Sequence, residues 1–201
     1  MAISFQYNKT SLQQLDKQLK IREKTLPTIK SKESALRMEV KKTKYEVSQL
    51  AEEYENKITS FSNMYGLWNE FDNTLLTIKD VKLESKKIAG VSIPILWEIV
   101  FDVNDFLMMN NPLWFYDGMS ILKEIAEISI KKEVAQRKLE LLEYSRRKTT
   151  QKVNLYEKIQ IPGFQEAIIK IKRYLEDEEN LSKSAQKIVK QRNKKEDMNH
   201  D

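Results

Sequence analysis

From Leu12 onward, apolar residues recur at alternating steps of three and four. The series runs Leu12, Leu15, Leu19, Leu26, Ile29, Leu36, Val40, Val47, Leu50 and Tyr54, then Phe61, Met64, Trp68, Phe71, Leu75 and Ile78. Arg22, Glu33, Thr43 and Lys57 stand at the same spacing without being apolar. A repeat of about 3.5 residues is the seam of a coiled coil, where one stripe of a helix stays turned toward a partner. Outer-face pairs of opposite charge, such as Glu39 with Lys42, add minor support. The pattern predicts a long amino-terminal helix within residues 1–80. Pro27 lies beside the seam and is expected to kink or divide it, because proline removes a backbone donor and clashes with the preceding turn.

A second series runs Ile121, Ile125, Ile128, Lys132, Ala135, Leu139, Leu142, Arg146, Thr149, Val153, Tyr156, and resumes as Phe164, Ile168, Ile171, Leu175, Glu178, Ser182, Ala185, Val189. It predicts a carboxy-terminal long helix over 119–190, with 191–201 as a flexible tail. The two halves of the series are out of phase. Continuing from Tyr156 would require Gln160 and Gly163, whereas the apolar residues are Ile161 and Phe164. A one-residue slip turns the stripe by roughly 100° in an unbroken helix. The helix is therefore expected to break near 161–163, where Pro162 and Gly163 would let it exit briefly and re-enter in phase.

Between the series, an insert over 81–118 contains Pro94, Pro112, Trp97 and Trp114. The runs "GVSIPILWEIVF" and "LWFY" are β-branched and aromatic, which suggests short strands or a hairpin, with Pro94 confined to an edge. The fold class follows: all-α and elongated, a long antiparallel two-helix coiled coil with a short β-hairpin-like insert. Pairing the expected ends places Pro162 opposite the neighbourhood of Leu36, near the level of Pro27.

Composition supports long helices, since 201 residues include only four glycines and four prolines and 32% are charged. The net charge of +5 is modest and both signs interleave, which favours solvated helix faces over a nucleic-acid binder. The absence of cysteine fits a reducing compartment. Neither a signal pattern nor an apolar run of about 20 residues is present, so a soluble chain is expected.

Catalytic chemistry is hard to assemble from these residues. The single histidine, His200, stands next to the chain end, and no glycine-rich loop precedes a helix. The acidic run Glu176 to Glu179 reads as a solvated face, because consecutive helical residues point in different directions. The chain is expected to be non-catalytic alone, with no cofactor or metal.

Residues 17–44 hold ten bases against three acids. That stretch suits either phosphates or an acidic protein surface, but lacks the aromatic platform that single strands stack on. The aromatics Trp97, Phe101, Trp114, Phe115 and Tyr116 are either the insert's own small core or a docking patch for another subunit.

Three blocks resemble one family. "LDKQLKIREKTLPTIKSKESALRMEV" is similar to the amino-terminal helix of the D subunit of V/A-type rotary ATPases. "KIAGVSIPIL" resembles that family's AGV-x-[IL]-P segment, and "KVNLYEKIQIPGFQEAIIKIKRYLEDEE" its VN-x-L-[FY]-x-x-x-x-IP signature. The segment from Trp97 to Met119 departs most from the family pattern. The resemblance implies a central-stalk rotor axle of a V-type ATPase, whose head of A and B subunits binds nucleotide. It also implies a small F subunit on the shaft and a subunit coupling to the membrane ring. ATP hydrolysis or synthesis would be joined to ion or proton transport on the cytoplasmic side of the membrane. On that reading Lys17, Lys20, Lys24, Lys30, Lys32 and Lys190 are candidate head contacts, and the five insert aromatics are candidates for the foot. A free-standing coiled-coil scaffold or tether is the rival reading, and a nucleic-acid-binding rod the third.

Overall fold

Asn8 starts the first helix. Its Oδ1 accepts the Ser11 N–H at 2.7 Å, the side-chain cap that satisfies one of the orphaned donors at a helix start. The structure, a computed structural model, describes residues 3–72, 74–104, 112 and 114–197. Helix α1 spans Lys9–Ser60, followed by a 3-10 turn at Ser62–Met64 and the short α2, Tyr65–Trp68. Strands β1 (Leu76–Ile88) and β2 (Val91–Val103) form a two-stranded antiparallel sheet. Helix α3 covers Phe115–Asn154, and a π-helical turn, Leu155–Gln160, joins it directly to α4, Ile161–Asp197. His200 lies outside the described residues.

Packing divides the chain into two compact units, Met1–Ser31 with Thr150–Asp201, and Lys32–Thr149. In the first, Leu15 packs with Phe164, Ala167, Ile168 and Ile171, flanked by Ile3, Phe5, Leu12, Leu19 and Leu175. Arg22 bonds Gln160 and Lys30 bonds Glu157, so the partner number falls as the α1 number rises and the helices are antiparallel. In the second unit, Leu36, Val40 and Leu142 pack with Ile93 of β2. Lys44 pairs with Glu143, Lys138 with Glu46 and Lys57 with Glu124, again in antiparallel order.

Several boundaries differ from those the spacing predicts. Pro27 lies inside α1 and does not divide it. Its position is exposed, and an interior proline costs about 3 kcal/mol, an amount that burying one or two leucines offsets. The helix ends at Ser60 rather than near 80, because the seam-spaced residues beyond it enter a separate cluster. Phe71 and Leu75 pack there with Phe115 and Met119, flanked by Trp68, Trp114 and Leu122. Asp72 then redirects the chain, its Oδ1 accepting both the N–H and the hydroxyl of Thr74 at 2.9 and 2.7 Å. "LWFY" is not a strand, since Phe115 already opens α3 and Leu113 lies outside the described residues. The expected tail is helical as far as Asp197.

The register also changes. Gln160 meets Arg22 and Gln165 reaches Glu23, which places Pro162 opposite Arg22 and Glu23 and not opposite Leu36. The expected alignment requires a helix running to Ile78, and the shorter α1 shifts every pairing. Pro162 thus comes within about one turn of Pro27 along the pair.

The chain does not leave the helix at Ile161-Pro162-Gly163. The Ile161 N–H bonds the carbonyl of Tyr156, five residues back, in the π turn just before the proline. Pro162 offers no N–H, and its ring would strike the carbonyl of Lys158 in a regular helix. The wider turn relieves that clash and accommodates one extra residue, which is the size of the slip in the apolar series.

Ala89 and Gly90 close the hairpin with φ of 48° and 75°. Positive φ at both central residues gives the turn a hand that matches strand twist. Alanine in this region is disfavoured by roughly 1–2 kcal/mol, and packing of Ala89 against the Leu36–Leu142 cluster offsets that cost. The family-like "AGV" block is this turn.

Candidate functional site

The sequence has no cysteine, and its one histidine, His200, lies outside the described residues. Among the described residues no group of three or more metal-ligating side chains is assembled. No helix among the described residues is long and apolar enough to cross a membrane.

Lys17, Lys20 and Lys24 line one shallow groove on α1 together with Gln13, Asp16 and Ile21. Their spacing of three and four puts them on one helix face. Lys20 is paired with Asp16 at 2.8 Å, and that bond holds its ammonium above the usual lysine range. Ile21, among these lysines, is 52% exposed. Lys30 is committed to Glu157 at 2.6 Å. Lys32 lies over the hairpin turn, where a Cβ added to Gly90 would stand 3.3 Å from its Nζ. Lys190 sits on the part of α4 beyond Leu175, where every position from 176 to 193 is exposed. The six lysines thus divide into three on one face of α1, with Lys20 paired to Asp16, then Lys30 paired to Glu157, Lys32 near the hairpin turn, and Lys190 on the exposed part of α4.

The aromatic candidates divide as well. Phe115 is buried and Trp114 partly so, both in a cluster built mainly with residues outside 81–118, namely Trp68, Phe71, Leu75, Met119 and Leu122. Trp114 stacks edge-on against Trp68 and Phe115, at centroid distances of 5.5 and 5.0 Å. Gly118 makes this possible, since a Cβ there would come within 2.9 Å of the Trp114 ring. Seam spacing assigns Trp68 and Phe71 to a helix and misses their part in this cluster. The signal in the sequence is Gly118, a small residue shortly after Trp114, Phe115 and Tyr116.

Trp97 takes the opposite role. Lys82 pairs with Glu98 and Leu83 with Leu96, so Trp97 is the extra residue of a β-bulge. Bulges re-aim side chains, and Trp97 is 73% exposed. Phe101 is half-buried opposite Ile78, and Tyr116 stays at the surface of α3.

Carboxylates serve the helix faces. Glu179 pairs with Lys183 at 2.7 Å, and that bond draws its pKa below the ordinary carboxylate value. The groove beside the hairpin is lined by Glu46, Glu53, Pro94, Leu96, Lys131 and Lys138, among others. Lys138 is spent there on Glu46 at 3.0 Å, and nothing in the arrangement sets up an acid–base pair.

The sequence has relatives. The family of ATP synthase D subunits matches residues 11–191. The V-type ATP synthase D subunit of Borreliella burgdorferi is 32% identical over 187 residues, covering 90% of this chain and 91% of the relative. Proteins of the same name from Chlamydia abortus and Chlamydia pneumoniae are 29% and 27% identical. They cover 83% and 88% of the chain, and 85% and 87% of their own lengths. The chain belongs to the ATP synthase D-subunit family.

Proposed function

We propose, from that membership, that this chain is the central rotor shaft of a V/A-type rotary ATPase or ATP synthase. It couples ATP hydrolysis or synthesis in a catalytic head of A and B subunits to ion translocation across the membrane. A small F subunit binds along the shaft, and a further subunit joins its foot to the membrane ring. Nucleotide chemistry belongs to the head, and the shaft stands on the cytoplasmic side.

The observation that carries this reading is the match over residues 11–191, which takes in both helical arms and the hairpin. The physical argument runs the same way. A shaft must resist twisting and present different faces to different head interfaces. Paired helices tied by apolar seams and by ion pairs such as Lys30–Glu157 and Lys44–Glu143 resist twisting better than one helix. Lys17, Lys20 and Lys24 offer a one-sided basic strip to an acidic surface of the head, an attraction that steers docking more than it adds affinity. Trp97 offers an aromatic anchor of the kind that dominates protein interfaces.

Coexpression with the head subunits tests the proposal. The tagged chain is expected to retain a nucleotide-hydrolysing hexamer and a small partner. Neutralising Lys17, Lys20 and Lys24 together to glutamine should weaken that retention at least several-fold at low salt and less at high salt. A chain that purifies without any hydrolysing complex would instead be a tether.

A further inference from the structure

The π turn at Leu155–Gln160 has a counterpart on α1. Arg22 stands on the seam of that helix where an apolar residue is expected, and its guanidinium reaches both sides of the turn. Its Nε donates to Gln160 Oε1 at 2.7 Å. Its guanidinium carbon lies 4.6 Å from the Phe164 ring centroid, just past the turn, and 5.8 Å from the Tyr156 centroid, within it. Lys152 approaches the same Tyr156 ring from the preceding helix at 5.8 Å. Beyond the turn, Ile3 lies where a Cβ on Gly163 would come within 3.1 Å, so the amino-terminal segment closes over the start of α4.

Each observation concerns one residue of surplus length. The seam positions are Val153 before the turn, Tyr156 at its start, and Ile161 and Phe164 after it. The interval from Tyr156 to Ile161 is five, where a regular seam requires four or three. Removing one residue between them gives the regular interval on both sides. No other single deletion in this arm does so.

We infer that Leu155–Gln160 is a one-residue phase insert, held in π form by Arg22, and that the packing on either side of it does not depend on the extra residue. Arg22 is a positioning residue: it bonds the last side chain of the turn and covers the rings of Tyr156 and Phe164. This breaks the apolar repeat of α1 opposite the place where the repeat of the other arm slips. The inference rests on packing alone and stands whether or not the chain turns in a rotary motor.

Single-residue deletions in the full chain test it. Lys158 is exposed and lies inside the turn. Both deletions are made in a Pro162→Ala chain, since removing the wide turn would otherwise press the proline ring onto the carbonyl four residues back. There, deletion of Lys158 places Ile161 and Phe164 in register with Val153 and Tyr156, and the thermal midpoint is expected to stay within about 3 °C of Pro162→Ala alone. Deletion of Lys170, equally exposed but in regular helix, rotates the following stripe by roughly 100° and should lower the midpoint by at least about 10 °C. A Lys158 deletion that melts as low as the Lys170 deletion, or does not fold, overturns the insert. Arg22→Met in the otherwise intact chain tests the clamp. Amide exchange within residues 155–160 should accelerate by about tenfold, while exchange around Leu36–Thr43 stays unchanged. Unchanged exchange at 155–160 overturns the role of Arg22.

Discussion

Thr43 is 0% exposed, yet its Oγ1 has no hydrogen-bond partner among the described residues. It stands on the α1 seam where its neighbours Val40 and Val47 are apolar. A helical threonine often returns its hydroxyl to a carbonyl four residues back, as Thr25 does to Ile21 and Thr149 to Ser145. Thr43 makes no such bond. An unsatisfied buried hydroxyl costs about 1–3 kcal/mol, while valine keeps the branched shape without the polar atom. Thr43→Val is therefore expected to stabilise the chain by about 1 kcal/mol, which thermal melts should register as a rise of about 2–4 °C. A lower melting point would mean that the hydroxyl is bonded in solution. Arg22 makes a useful contrast: both residues interrupt the apolar series, but Arg22 is engaged by Gln160 and two rings. One interruption is a cost and the other a fastening.

At the scale of elements, the α1–α3 pair is fastened on its flank by Glu143. Its carboxylate meets Lys44 at 2.9 Å and Arg147 at 3.5 Å. The hydrogen bond from Lys44 draws the Glu143 pKa below the ordinary carboxylate value, more than burial raises it, with the charges of Lys44, Arg147 and Arg146 helping. A carboxyl depressed in the folded state contributes stability above its unfolded pKa and loses it as pH falls through the folded pKa. Glu143→Gln should cost up to about 1 kcal/mol at neutral pH, since the pair is partly solvated. Urea melts should show the difference between the two proteins narrowing as pH drops through the carboxylate range. A difference independent of pH would assign the effect to packing.

The same elements show how much was legible in the sequence. Leu15, Leu36, Val40, Leu142, Ile168 and Ile171 fall on seams by spacing alone, because a coiled-coil repeat is a local property. The end of α1 was not legible. Trp68, Phe71 and Leu75 satisfy seam spacing and also suit a compact aromatic cluster, and only tertiary contacts choose between them. Strand β1 escapes notice because most of its residues are exposed on both faces, which leaves no alternation to read. The phase slip near Pro162 is visible as arithmetic, but spacing alone cannot tell an exit from the helix from a widened turn. The lysine strip carries still less signal, since exposed charges have no periodic constraint.

For the molecule as a whole, the question is which of its surfaces stay uncovered in the isolated chain. Positions 176–193 of α4 are all exposed, including Leu181 at 72%, Ile188 at 53% and Val189 at 56%. Those three residues recur at helical spacing and belong to none of the core clusters, and the ion pair Lys183–Glu179 lies within the helix itself. A lone helix of this length is marginal in water, because most helical stability comes from packing of an apolar face. In the isolated chain, amides at 176–193 should exchange at least about tenfold faster than those at Phe164–Ile171, which are packed against Leu15. If the chain is a shaft held in a catalytic head, reconstitution with that head should slow exchange along 176–193 and leave Phe164–Ile171 as it was. Strong protection of 176–193 in the isolated chain would show that the helix is stable without a partner. Unchanged fast exchange after reconstitution would place the head contact elsewhere and leave the Lys17–Lys24 strip as the surface that meets it.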